Sequence, residues 1–188
     1  MIVGILLAAG SASRFGSQKL LARLPDGRRI VEASAAKLIV ACAGNVVAVT
    51  RRDPELMDVL AACGCRVVIN DHADQGMGSS IAAGVAATPA NGWVIALGDM
   101  PSIRVDTVLT IVEALCAGAR IVVPAMDGKH GNPVGFSALY RERLQSLAGD
   151  TGAREILKTD SMFVDEICVD DAGIFLDIDT RADLKLQH

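Results

Sequence analysis

Residues 5–24 read ILLAAGSASRFGSQKLLARL, and within them Gly10, Arg14, Gly16 and Lys19 are residue types that bind phosphate. Gly10 and its small neighbours let backbone N–H groups come close to an anion. Arg14 offers a planar fork of donors and Lys19 a mobile point charge. The spacing excludes the two commonest glycine loops. A Walker A loop carries Lys-Ser/Thr directly after its second glycine, which stands five residues past the first. Here Gly16 falls six residues after Gly10, and Lys19 three further on with Leu20 behind it. A dinucleotide fingerprint needs G-x-G-x-x-G, whereas Ser11-Ala12 follows Gly10. The remaining pattern, A-A-G-S-x-S-R-x-G-x-x-K, suits a triphosphate that loses pyrophosphate, because charge builds on the α-phosphate and on the leaving group. On the loop alone, a surface turn with two solvated cations stays open as the alternative.

Other constellations extend this chemistry. Asp99 follows an apolar run and precedes Pro101, so it stands where an open α/β sheet binds ligands. A carboxylate there suits Mg²⁺, which takes one or two carboxylates together with phosphate oxygens and water. Capping a helix that starts near Ser102 is the competing role. Asp177 and Asp179 are two apart in an expected strand and would share a face; Asp179 can instead cap a helix opening at Thr180. In "GMGSS", Gly76 and Gly78 precede Ser79 and Ser80 at an expected helix start. Exposed N–H groups there can meet a phosphate or a base edge, and a serine-capped helix is the plainer reading. Lys129, His130 and Asn132 occupy a Gly/Pro-rich loop, and Arg154 opens a helical turn. His130 receives no chemical role, and Arg154 suits either an anion or a surface ion pair.

These residues need a frame. Apolar, β-branched runs at 2–8, 45–50, 66–70, 93–97 and 120–123 alternate with segments at 30–42, 54–62, 79–87 and 104–117. In the latter, apolar residues recur three and four apart, so they predict helices. Strands this apolar are buried on both faces. The β-α rhythm implies a three-layer α/β/α sandwich with a doubly wound, mostly parallel sheet. "LPDGRR" at 24–29 predicts a hairpin with positive φ at Asp26 and Gly27. Beyond Pro124 a helix is expected over 138–147, a helical turn over 151–158, strands near 163–169 and 173–178, and a last helix from Thr180.

Length and composition set the limits. The 188 residues suit one domain over 1–188. A formal charge of −4 disfavours nucleic acid as partner. No basic-then-apolar leader and no long apolar span is evident, so a cytoplasmic protein with no membrane contact is expected. The cysteines, odd in number at 5, fit reduced thiols. Cys63-Gly64-Cys65 lacks a second cluster at metal-ligand spacing.

"LLAAGSASRFGSQKLL" resembles the signature of the MobA-like NTP transferases, and within them the molybdenum cofactor cytidylyltransferase branch. The guanylyltransferase relatives usually carry L-A-G-G where this chain has Leu7-Ala8-Ala9-Gly10. "QGMGSSIAAGV" (75–85), "LGDMPSI" (97–103), "GNPVGF" (131–136), "GDTGAR" (149–154) and "DIDTRADL" (177–184) follow in the family's order. The resemblance implies the fold of nucleotide-diphospho-sugar transferases and Mg²⁺-dependent transfer from CTP to a molybdopterin-type cofactor with release of pyrophosphate. It implies catalytic roles for Arg14, Lys19 and Asp99 and nucleotide binding by Leu7, Ala8, Ala9, Gly10, Gly76, Ser79 and Ser80. Metal would be held by Asp99 with Asp177 or Asp179, Asp177 being the leading choice. A recipient molybdoenzyme or its maturation factor is the implied protein partner. GTP as the donor, another phosphorylated acceptor, and a non-catalytic cofactor carrier are the alternatives. Asn132 and Gly135 depart from the branch's usual residues in the segment that the resemblance turns toward the acceptor.

Overall fold

The computed structural model describes residues 1–10, 18–150 and 152–186. Its sheet is built from β1 (Ile2–Leu7), β2 (Val46–Thr50), β3 (Arg66–Ile69), β4 (Gly92–Leu97), β5 (Ile121–Met126), β6 (Lys129–His130), β7 (Val134–Ser137) and β8 (Val164–Cys168). The order is β3-β2-β1-β4-β7-β5-β6, with β8 on the other side of β5. Strands β3, β2, β1 and β4 run parallel, as does β8 on β5. Strand β7 is antiparallel to both β4 and β5. The sheet is therefore mixed and mostly parallel, as expected.

Alternation along β1 shows how the core divides. Ile2 and Leu6 belong to one cluster, and Val3, Ile5 and Leu7 to the other. The first cluster lies under α1 (Ile30–Ala41), α2 (Pro54–Ala62) and α4 (Val105–Cys116); the second lies under α3 (Met77–Ala86), α5 (Arg141–Gln145) and α6 (Arg154–Thr159). Gly84 lets α3 press onto the sheet, since a Cβ there would come within 2.8 Å of Ile5.

Elements through α4 match the sequence reading to within two residues at each end. The later ones do not. Asp127 and Gly128 both take positive φ, 52° and 72°, and turn β5 back as a hairpin. The returning chain forms β7, which enters the sheet between β4 and β5; the sequence pattern indicated only a short extended run there. At 24–29, Gly27 alone has positive φ. Asp26 instead accepts hydrogen bonds from the Arg28 backbone N–H and guanidinium, and a lone bridge joins Arg23 to Arg29. The helix expected over 138–147 is a 3-10 turn, Ala138–Tyr140, followed by α5.

No strand forms at 173–178, and a 3-10 turn, Ala172–Phe175, stands there. Ile174 and Ile178 are each 0% exposed, and burying each contributes about 2 kcal/mol. They act as separate plugs, and backbone bonds from this segment go to loops: Asn132 N–H donates to the Ile174 carbonyl, and Ile178 N–H donates to the Asp99 carbonyl. Instead of a helix from Thr180 there is a short 3-10 turn, Asp183–Leu186. Burial pushes the thiols of Cys42 and Cys65 up to about 12 and about 11, as packing residues. Among the described residues no three of His, Cys, Asp and Glu are grouped to hold a metal, and no helix is long and apolar enough to cross a membrane.

Candidate functional site

Adjacent parallel strands β1 and β4 end side by side. Gly98 N–H donates to the Leu7 carbonyl at 2.9 Å and extends their ladder past the last residue. Ala8 and Ala9 are buried, and no described residue comes within 4 Å of a Cβ built on Gly10. Arg14 and Gly16 lie outside the described residues. The chain re-enters at Gln18, whose amide donates to Asp53 at 2.6 Å. The other oxygen of Asp53 caps α2 at Leu56 N–H. Leu20, buried in the core, anchors the short 3-10 turn that begins at Lys19.

Lys19 is the centre of the site. Its Nζ donates to Asp99 Oδ2 at 2.8 Å and to Asp179 Oδ1 at 3.1 Å. The side chains are 13%, 22% and 47% exposed for Lys19, Asp99 and Asp179, so the cluster opens toward solvent from the Asp179 side. Burial alone would lower the Lys19 pKa. The hydrogen bond and charge of Asp99, then those of Asp179, outweigh it and hold the ammonium above the ordinary lysine value.

Asp99 does not cap a helix. Helix α4 begins at Val105, and Asp171 supplies the carboxylate at its start, accepting from Arg104 N–H and the Thr107 hydroxyl. Asp177 and Asp179 part company because no strand holds them. Asp177 is exposed, while Asp179 turns inward to Lys19. The turn that presents Asp179 is closed by Asp183, which accepts from the N–H groups of Asp179 and Thr180 at 3.0 and 2.7 Å. Those backbone bonds hold the Asp183 carboxyl below its usual range.

The glycine segment before α3 packs against the 148–150 loop. Gly78 N–H donates to the Gly149 carbonyl, and Gly149 N–H to that of Gln75. Gly76 has φ +94°, and a Cβ there would meet the Gly149 carbonyl carbon at 2.4 Å. This position therefore requires glycine both for conformation and for space. Ser79 and Ser80 do not cap the helix. Both hydroxyls accept from the Asn70 amide, at 2.9 and 3.0 Å, beneath the turn. Asn70 thus organises this corner; its place at the end of β3 gave no chemical signal in the sequence.

Beside the charged cluster lies a cavity of about 390 Å³. Leu7, Ile81, Ile95, Leu97, Val134 and Phe136 form its apolar wall, and His130, Asn132, Asp150, Arg154 and Lys158 its polar one. Leu7 and Leu97 end β1 and β4, so the cavity adjoins the strand ends that carry Gly10 and Asp99. His130 Nε2 lies 2.6 Å from Glu166 Oε1. Arg154 takes its expected place at the start of α6 and lines the cavity. Gly135 does not face this cavity: a Cβ there would meet Ile111 of α4 at 2.7 Å, on the opposite side of the sheet. Its departure from the family pattern is a packing matter, and only Asn132 bears on the cavity.

A mixed, mostly parallel sheet under helices, with Lys19 and Asp99 meeting beyond the ends of β1 and β4, is the arrangement of an α/β nucleotidyltransferase. The MobA-like NTP transferase domain matches residues 4–165, and the chain belongs to that family. It is 31% identical to nicotine blue oxidoreductase of Paenarthrobacter nicotinovorans, covering 95% of this chain and 92% of that protein. It is 27% identical to molybdenum cofactor cytidylyltransferase of Escherichia coli strain K12, covering 95% and 91%. The crystal structure of Rv0371c from Mycobacterium tuberculosis H37Rv superposes with a TM-score of 0.86 at 26% identity, covering 98% and 96%. Another structure of Rv0371c is a complex with manganese.

Proposed function

We propose that this chain is a divalent-cation-dependent cytidylyltransferase that joins the cytidylyl group of CTP to the terminal phosphate of a molybdopterin-type cofactor. The observation that carries this reading is the meeting of Lys19 with Asp99, just past the end of β4, and with Asp179. An acceptor phosphate oxygen attacks the α-phosphorus of CTP in line. The bond to the bridging oxygen breaks, and pyrophosphate leaves with the electron pair. No protein nucleophile takes part, so positioning and charge stabilisation supply the catalysis. Lys19, fully charged at neutral pH, neutralises charge on the phosphates, and Arg14 joins it in this reading.

Asp99 and Asp179 fit a divalent cation, because their oxygens converge on one positive centre, the Lys19 ammonium, and two carboxylates would leave phosphate and water to complete the ligand set. Such an ion, Mg²⁺ in this reading, would supply charge neutralisation at the reacting phosphate oxygens. Asp179 replaces Asp177 as the second carboxylate. The backbone from Leu7 to Gly10 and at Gly76 borders the nucleotide. Ser79 and Ser80 shape the turn from below. The cavity with Arg154, Lys158 and His130 receives the acceptor, its apolar wall taking a flat ring system and its cations the phosphate. A protein that receives the product, a recipient molybdoenzyme or its maturation factor, completes the reading.

Asn132, which lines the cavity and departs from the branch's usual residue, favours one second reading, the same transfer to a different phosphorylated acceptor. Incubation with each of the four NTPs, Mg²⁺ and the molybdenum-loaded cofactor tests the proposal through pyrophosphate and the nucleotide-linked product. Release with CTP that depends on the cofactor is expected. Release with GTP alone would move the chain to the guanylyltransferase reading. Tight cofactor binding with no pyrophosphate from any NTP would make it a carrier.

A further inference from the structure

Thr50 ends β2, and the two arginines after it leave the sheet in different ways. Arg52 forms a bidentate pair with Asp71, at 2.8 and 3.0 Å, on the exposed surface. Arg51 makes no ion pair among the described residues. Its guanidinium binds two neutral backbone carbonyls instead: Nε donates to Ala9 at 2.7 Å, and Nη2 donates to Ala73 at 3.1 Å. Ala9 immediately precedes Gly10 and the phosphate loop. Ala73 opens the 3-10 turn Ala73–Gln75, which delivers Gly76 and then α3. One rigid planar group thus links the two backbone segments that border the nucleotide in the proposed function.

A guanidinium fixes the separation and direction of its donors, whereas a lysine ammonium presents one compact charge on a flexible stem. Two carbonyls bound to one guanidinium are therefore held at a set spacing. Hydrogen bonds from a charged donor are also the stronger class. Nothing in the glycine-loop or metal motifs includes Arg51.

We infer that Arg51 is a positioning residue for the nucleotide, setting the gap between the Ala9 backbone after β1 and the turn before α3. This rests on the reading that both segments border an NTP. Loss of such a group removes binding that is equal in ground and transition states, so it raises KM and spares kcat.

The test is equilibrium binding of CTP together with steady-state kinetics for wild type, Arg51→Gln, Arg51→Lys and Arg52→Gln, with thermal melting of each. Arg51→Gln is expected to weaken CTP binding and raise its KM about tenfold, with kcat within about twofold. Arg51→Lys is expected to fail to restore affinity, because it cannot hold both carbonyls. Arg52→Gln, at the same strand end, is expected to bind CTP like wild type. Unchanged CTP affinity in a folded Arg51→Gln would overturn the inference, as would full restoration by lysine or an equal loss in Arg52→Gln. Should Arg51→Gln melt below the assay temperature, the lysine variant decides by the same criteria. A wild-type protein that binds no NTP would overturn the proposed function and this inference with it; CTP bound equally by all four proteins would overturn the inference alone.

Discussion

The charged cluster and the apolar cavity begin from the same strand ends and are built by opposite means. At the cluster, single charges arrive from distant parts of the chain, Lys19, Asp99 and Asp179, and each is delivered by a short turn. At the cavity, aliphatic and aromatic side chains from β1, β4, β7 and α3 make a wall that also belongs to the core, and cations stand only at its polar side. The first arrangement depends on a few charged atoms. The second depends on the shape left by packing. In the proposed function, reaction type and acceptor choice are therefore encoded differently, and substitutions should separate them.

The largest effect is expected at the cluster. Asp99→Asn and Lys19→Ala should each lower turnover about 10²–10³-fold in pyrophosphate release, while the cooperative unfolding transition survives. Turnover close to wild type in either variant would break the distinction. A smaller and differently shaped effect is expected at the cavity. Arg154→Ala with Lys158→Ala should raise the KM for the phosphorylated acceptor about tenfold or more and leave the KM for the NTP within about twofold. An equal rise for both substrates would mean that the two regions are one site.

The smallest effect concerns the turn behind Asp179. The Asp183 carboxyl is held below its usual range by the Thr180 backbone N–H first, then by the Thr180 side chain and the Asp179 backbone N–H. A depressed folded-state pKa contributes stability that is present above the unfolded pKa, about pH 4, and is lost as pH falls through the folded value. Asp183→Asn should therefore flatten the acid limb of stability against pH, while leaving stability unchanged in shape above pH about 5. Parallel acid limbs for variant and wild type would contradict this.

Legibility in the sequence follows the same division. Strands and helices through α4 are readable because β1, β2 and β4 are buried along nearly their whole length and each helix keeps one apolar face; β3, at the sheet edge, is half-exposed instead of buried on both faces. Lys19 and Asp99 stand out in the sequence by the glycine spacing before one and the apolar run before the other, and the fold brings the two together. Insertion of β7 was hidden, since an antiparallel return depends on the Asp127-Gly128 turn and on space for Gly135 beneath Ile111. The run Ile174, Leu176, Ile178 mimicked a strand by alternation, but Gly173 lies where a Cβ would meet the Ser102 carbonyl oxygen at 2.4 Å. The segment is pinned by its two buried isoleucines instead. A strand there would put Asp177 and Asp179 on one face, and the family resemblance favours Asp177, whereas the turn brings Asp179 to Lys19 and leaves Asp177 exposed. Asn70, Asp53 and Asp183 escaped notice because they act on backbone and neighbouring polar groups and leave no motif.

The ranking of those two aspartates tests the central claim most directly. Divalent-cation-dependent pyrophosphate release should be measured side by side for wild type, Asp177→Asn and Asp179→Asn. The cluster of Lys19, Asp99 and Asp179 predicts that Asp177→Asn stays within about twofold of wild type and that Asp179→Asn falls about 10²-fold. The reverse order, with Asp177→Asn inactive and Asp179→Asn active, would contradict the account.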